Sequence, residues 1–293
     1  MKFEVYAQKA QLPKEAISVM KKNHDKIGAD SRFLALCKQI YDNVPFADIK
    51  KELETFSENV SVNLYELMLL LLMETCDKME NAFRSKGIEE RIFLDTVKDF
   101  QYKTKECMDV DGVYGISPFT WYQEIFSVEI VALGRLQYQI MESPCVKYTV
   151  DGIEILKGDP VYYIHIPSAG PLLPEDVTAS LRAAFAFFKE RVSGKLIAPC
   201  TSWLLYPPYK EKVYAKESNL WKFADRFHIV SYKAYNDPNE FSNAWRVFGT
   251  KDVSELSALP ADTSLRRNFL RYMREGGTHG TGFGVIVVDE NYI

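Results

Sequence analysis

One stretch constrains the fold more than any other. Residues 161–208 read VYYIHIPSAGPLLPEDVTASLRAAFAFFKERVSGKLIAPCTSWLLYPP. An apolar run, Val161 to Ile166, enters a Ser-Ala-Gly-Pro turn at Ser168 to Pro171. After Pro174, the residues Val177, Leu181, Ala184, Phe185 and Phe188 recur at the spacing of one helical face. A second apolar run, Leu196 to Leu205, carries Cys200-Thr201-Ser202-Trp203. The order is strand, tight turn, helix, strand, which calls for a mixed sheet with helices packed against it.

The flanking segments agree. Arg135 to Met141 reads as a strand, and Val146 to Val150 and Ile153 to Leu156 bracket Asp151-Gly152, a two-residue hairpin signal. Beyond the central unit, Ser218 caps a helix over Asn219 to Phe227, and strands are expected at His228 to Tyr235, Ala244 to Phe248 and Phe283 to Val288. A helix from Ser264 to Glu275 is marked by Asp262-Thr263 before it and Gly276-Gly277 after it.

The first 110 or so residues have a different texture. Pro13 opens a helix, and Asp30-Ser31 precedes Phe33, Leu34, Cys37, Ile40 and Tyr41 at helical spacing. Val62 to Phe83 is apolar on several faces and reads as the centre of a bundle. The segment Asp109 to Pro118, with two glycines and a proline, is the expected boundary. Ser117-Pro118 then starts a helix running to about Leu133. The fold class is therefore α+β, or mixed α/β: a helical N-terminal domain at 1–115, then a mixed sheet with flanking helices at 116–293.

Composition narrows the function. A chain of 293 residues, 47% hydrophobic and 26% charged, is ordinary globular material. A net charge of -4 argues against a nucleic-acid partner. The longest apolar run, Leu67 to Met73, falls well short of the ~20 residues of a membrane span. Five scattered cysteines with no CxxC point away from a disulfide scaffold or a metal site and toward the cytoplasm. A small-molecule partner is expected, and oligomeric state is left open.

Several residue groups carry a resemblance: His165-Ile166-Pro167-Ser168 through Gly170-Pro171-Leu172, Cys200-Thr201-Ser202-Trp203-Leu204-Leu205, Ser218-Asn219, Gly134-Arg135-Leu136-Gln137 and Thr263-Ser264-Leu265. Through them the chain resembles bacterial acyltransferase domain-containing proteins that join a helical N-terminal half to a GNAT-like C-terminal half. The resemblance implies an N-acyltransferase that moves an acyl group from acyl-CoA to an amine, with no metal. It also implies that the strand–turn–helix–strand unit holds coenzyme A where two central strands splay apart. The usual pyrophosphate motif there (Gln or Arg, two residues, Gly, one residue, Gly or Ala) is not matched. Pro171 and Pro174 each remove a donor, and Glu175 and Asp176 place negative charge in the first helical turn. A non-catalytic GNAT-like ligand-binding or interaction module is the alternative.

Candidate site residues follow. His165, within the apolar strand pattern Val161 to Ile166, is the candidate general base, because imidazole titrates near neutrality. Ser202 shares a strand face with Cys200, opposite Thr201 and Trp203. Neither a base beside Cys200 nor a G-x-S-x-G elbow is present, so Cys200 reads as core and Ser202 as a residue that orients substrate or deprotonates the amine. Ser168 and Gly170 are the candidate cofactor turn. Arg267 and Arg271, on one helical face with Arg274, are candidate phosphate clamps. Trp203, Arg135 and His279 are the substrate-binding candidates. His279 lies in a segment with five glycines in nine residues, Gly276 to Gly284, expected to end a helix and lead into the last strand as a flap over the site, with His279 accessible.

Overall fold

The computed structural model describes residues 1–144, 147–237 and 240–292. Cys145 and Val146, the latter expected to begin a strand, lie outside them. The chain divides into two compact units, Met1–Ala132 with Pro167–Ala169, and Leu133–Ile166 with Gly170–Ile293.

The first unit is built from helices α1 (Lys2–Lys9), α2 (Lys14–Ile27), α3 (Ser31–Tyr41), α4 (Phe46–Val60), α5 (Leu64–Glu74), α6 (Cys76–Ser85), α7 (Glu90–Val97), α8 (Asp99–Asp111) and α9 (Tyr122–Phe126). Its axis is α5, in which every residue from Leu67 to Met73 is buried. Helices α1, α2, α3, α4 and α6 surround it. The apolar run is short because it fills a bundle centre, where no face meets water. Asn63 starts α5 by accepting from the N–H groups of Tyr65 and Glu66. The run expected from Val62 to Phe83 breaks at Thr75, whose Oγ1 donates to Leu71 O at 2.8 Å. A hydroxyl bonding back to the fourth carbonyl before it competes with the helix ladder. Among the described residues no helix is long and apolar enough to cross a membrane.

The helix expected from Pro118 to Leu133 is corrected. A 3-10 turn (Phe119–Trp121) leads into α9, and strand β1 (Ile130–Leu133) follows. Between them Val128 sits at φ 61°, a conformation that stops a helix and costs a β-branched residue energy. Phe119 stacks on Phe46 at 5.1 Å and Tyr122 on Phe100 at 4.2 Å. These contacts hold residues 116–132 in the first unit.

The second unit contains β2 (Leu136–Glu142), β3 (Lys147–Val150), β4 (Ile153–Leu156), β5 (Pro160–His165), α10 (Pro174–Phe188), β6 (Leu196–Ser202), α11 (Pro207–Lys212), α12 (Asn219–Asp225), β7 (His228–Ala234), α13 (Ala244–Phe248), α14 (Ser264–Arg274) and β8 (Gly280–Val288). β2 and β5 pair antiparallel with Gln137 opposite His165. β3 and β4 form the expected hairpin, with Asp151 and Gly152 at φ 48° and 75° as a type I′ turn demands. β6, β8 and β7 form a second ladder, antiparallel throughout. The hairpin packs Tyr148, Val150 and Ile155 onto Val161 and Val285.

Strands β5 and β6, joined by α10, lie side by side yet belong to different ladders. Pro199 in the middle of β6 has no N–H, so β6 cannot carry an unbroken ladder on both edges. It uses one edge for β8 and shares no ladder with β5 on the other.

Two further expectations are corrected. Residues 244–248 form helix α13, not a strand: Ala244, Val247 and Phe248 are buried at i, i+3 and i+4, and Gly249 at φ 75° ends the turn. The glycine run ends α14 and leads into the last strand as expected, but it is not a flap, because β8 already starts at Gly280. Gly280, Gly282 and Gly284 alternate along it, and the 3-10 turn Trp203–Leu205 lies directly on that bare face. A Cβ at Gly282 would come within 2.1 Å of Leu205 O.

Candidate active site

The β2–β5 pair sorts its side chains by alternation. One face packs under α10: Tyr138 Oη meets Ser180 Oγ at 3.1 Å, and the Tyr162 ring lies 4.4 Å from Phe188. The other face carries Gln137, Gln139, Tyr163 and His165 at a polar end, and Met141 and Val161 under the β3–β4 hairpin at the other. His165 is half-buried, its Nε2 is 2.9 Å from Gln139 Oε1, and its ring is 5.4 Å from that of Tyr163. An amide oxygen can only accept, so this contact is made with a proton on Nε2. Gln139 and Tyr163 were not singled out from sequence. The signal was present, since LQYQ places two glutamines on one strand face.

Beyond β5 the chain turns. Gly170 sits at φ 96°, a conformation that side chains rarely adopt. Arg135 holds this turn, donating from Nη2 to Gly170 O at 2.7 Å and from Nε to Pro171 O at 3.1 Å. Ser168, in the first unit, donates to Glu106 Oε1, and Glu106 also meets Lys103 Nζ at 3.0 Å.

At the end of β6, Ser202 Oγ accepts from Leu204 N at 3.2 Å and so caps the turn that carries Trp203. A hydroxyl that accepts in this way keeps its own proton to donate. Trp203 is half-buried among Tyr209, Phe241 and Phe269, with ring centroids 6.1–6.3 Å away. Cys200 is buried, and burial pushes its thiol up to about 12, so it stays protonated as a core residue.

His279 is corrected from an accessible loop residue to a core one. It is 2% exposed, stacks on Phe241 at 4.2 Å and 7°, and meets Tyr209 Oη through Nδ1 at 2.7 Å. Trp203 and His279 thus share the neighbours Tyr209 and Phe241. Desolvation lowers the imidazole to about 4, against ~6.5 for an exposed histidine. Below pH ~6.5 the unfolded chain takes up a proton here, and the folded chain does so only near pH 4. Stability should therefore fall as pH drops through that window, by about 3 kcal/mol at its acid end. Urea unfolding from pH 7 to 4 measures this. The acid loss should shrink by about that amount in His279→Gln, and equal losses in both proteins would refute it.

The arginines of α14 are engaged locally. Arg267 Nη1 donates to Ala261 O at 2.9 Å and Asp262 O at 3.0 Å, and Arg271 Nη2 is 3.5 Å from Lys212 O. Arg267 closes the loop entering its own helix, and Arg267, Arg271 and Arg274 are all exposed.

A β–α–β unit whose strands belong to different ladders, followed by an antiparallel strand pair, defines a GNAT-type domain. The family described as "GNAT-like C-terminal domain" matches residues 130–286, and that described as "N-acyltransferase N-terminal domain" matches residues 1–128. The chain belongs to this family of N-acyltransferases with a GNAT-like C-terminal domain. No curated protein matches it. Among solved structures, an acyltransferase in complex with decanoyl-CoA and teicoplanin superposes with TM-score 0.71 at 18% identity, covering 96% of this chain and 86% of that one. An acyltransferase mutant in complex with octanoyl-CoA gives 0.69 at 18% identity, covering 96% and 85%. At these identities the likeness is one of fold.

Proposed function

We propose that the protein transfers an acyl group from acyl-CoA to an amine of a small molecule or peptide. The observation that carries this is that β5 and β6 lie side by side without sharing a ladder. Backbone N–H and C=O groups along such an edge need partners, and the amides of a pantetheine arm supply them. Ser168 and Gly170 belong to the turn that follows β5, and Trp203 stands at the end of β6 as an apolar wall.

The amine nitrogen attacks the thioester carbonyl, a C–N bond forms, the C–S bond breaks, and coenzyme A leaves as the thiolate. The ammonium proton has to depart before attack. His165 takes it on Nδ1, while Gln139 fixes the tautomer from the other side. The Ser202 hydroxyl donates to the substrate and keeps it in line. Holding both substrates together supplies the larger share of the acceleration. Solved relatives hold octanoyl-CoA or decanoyl-CoA, so medium-chain thioesters are the first donors to test. We place the protein in the cytoplasm, since Cys37, Cys76, Cys107 and Cys200 are thiols in the fold and none is in a disulfide.

Calorimetric titration with coenzyme A and with decanoyl-CoA decides the matter. Saturable binding of both, with release of thiol when amines are added, is expected. Failure of either thioester or coenzyme A to bind would leave a non-catalytic module.

A further inference from the structure

The turn that enters α10 is held by one short segment at two points. Ser180, in the second turn of α10, accepts from Leu136 N at 3.1 Å and donates to Leu133 O. Gly134 lies against it: a Cβ there would sit 3.6 Å from Ser180 Cβ. Arg135, the next residue, reaches the other way and binds Gly170 O and Pro171 O through two different nitrogens. Residues 133–136 thus fasten both the body of α10 and the loop that leads into it.

We propose that Arg135 is a positioning residue for the acyl donor rather than a contact for the acceptor, an inference that rests on the acyl-CoA reading above. The geometry gives the reason. A trans peptide points its C=O and N–H in opposite directions. With Pro171 O drawn to the guanidinium, the Leu172 N–H faces away from Arg135. Pro171 and Pro174 remove two of the donors this segment would otherwise offer, so the orientation of those that remain matters more. Gly170 at φ 96° makes the conformation accessible, and the planar fork of Arg135 selects it. An anion held by backbone N–H groups depends on their direction, and no side chain in the loop need touch it.

The test uses the full chain with Arg135→Ala and Arg135→Lys. Amide hydrogen exchange without ligand should quicken at Val177, whose N–H donates to Leu173 O at 3.0 Å where the loop enters α10, in Arg135→Ala and stay unchanged in β8. Coenzyme A affinity should fall about tenfold, the worth of one or two charge-assisted hydrogen bonds. The rate at saturating acyl-CoA should stay within about twofold, because donor binding and not the reacting atoms is affected. Arg135→Lys should recover only part of the affinity, since an ammonium cannot span both carbonyls in a fixed plane. Unchanged exchange, unchanged coenzyme A affinity, or a rise in acceptor KM alone would overturn the proposal. Wild-type protein that binds no coenzyme A would instead sink the acyl-CoA reading, and exchange would still report whether Arg135 holds the turn. If Arg135→Ala does not fold, Arg135→Lys carries both measurements.

Discussion

Replacing His165 with glutamine should lower kcat for amide formation by roughly 10²–10⁴-fold, the usual contribution of a positioned base. Coenzyme A affinity should change little. Glutamine keeps a donor for Gln139 Oε1, so the local fold is preserved while the lone pair that accepts the proton is removed. The prediction rests on His165 occupying the face of β2 and β5 that carries Gln137, Gln139 and Tyr163, and not the face under α10. Steady-state rates at saturating donor and acceptor measure it, with a pH profile alongside. The acid-side fall in kcat should disappear with the imidazole. A variant that turns over at the wild-type rate would remove His165 from the chemistry and leave orientation of the two substrates as the whole mechanism. Gln139→Leu gives an intermediate result: the imidazole stays, but nothing fixes its tautomer.

The sequence was read best where local signals act alone. Ser218 caps its helix as expected, and Asp151-Gly152 makes its hairpin, because each depends only on residues within a turn of itself. It was read worst where tertiary contacts overrule a local pattern. The helix from Pro118 stops early because aromatic packing on Phe46 and Phe100 selects a short α9 and a strained Val128. Ala244 to Phe248 alternates weakly enough to pass for a strand, yet its buried residues fall at helical spacing. The glycines near the C-terminus punctuate the chain on paper, but in the fold they clear one face of a central strand for a turn from elsewhere in the chain. His279 followed from that error, since a loop histidine is exposed and one leading into a central strand is buried. For the site, His165 and Ser202 stand out in their apolar runs as polar residues, and the two glutamines of LQYQ share a face, but only the β2–β5 register brings Gln139 to His165.

Gly282→Ala should destabilise the second unit by about 3 kcal/mol or more. In β8 this residue pairs with Ser202 on one side and Tyr232 on the other, so the strand cannot shift without opening two ladders. The added Cβ would lie 2.1 Å from Leu205 O and 2.6 Å from Leu205 C. Both atoms are backbone, and their turn is fastened: Ser202 caps it, Tyr206 N donates to Trp203 O at 3.1 Å, and Tyr206 Oη meets Thr278 Oγ1 at 2.7 Å. No rotamer change relieves such a clash, so backbone on one side has to move. Gly284→Ala is the control within the same strand. Its Cβ would meet Phe227 Cβ at 2.9 Å and the ends of two aliphatic side chains, Ile229 and Leu205, beyond 3 Å. Phe227 Cβ is tied to its backbone and must give by a few tenths of an ångström, but that approach is far looser than the 2.1 Å carbonyl contact at Gly282, and the other two atoms are side-chain tips, so the loss there should be about 1.5 kcal/mol. At roughly 2–4 °C per kcal/mol for a domain of this size, Gly282→Ala should melt roughly 6–12 °C below wild type and Gly284→Ala only a few degrees below. Displacing the turn also moves Ser202 and Trp203, so acyl transfer should suffer in Gly282→Ala even below its melting range. Equal melting of the two variants would show that the turn is not held against β8, and that the alternating glycines have another purpose.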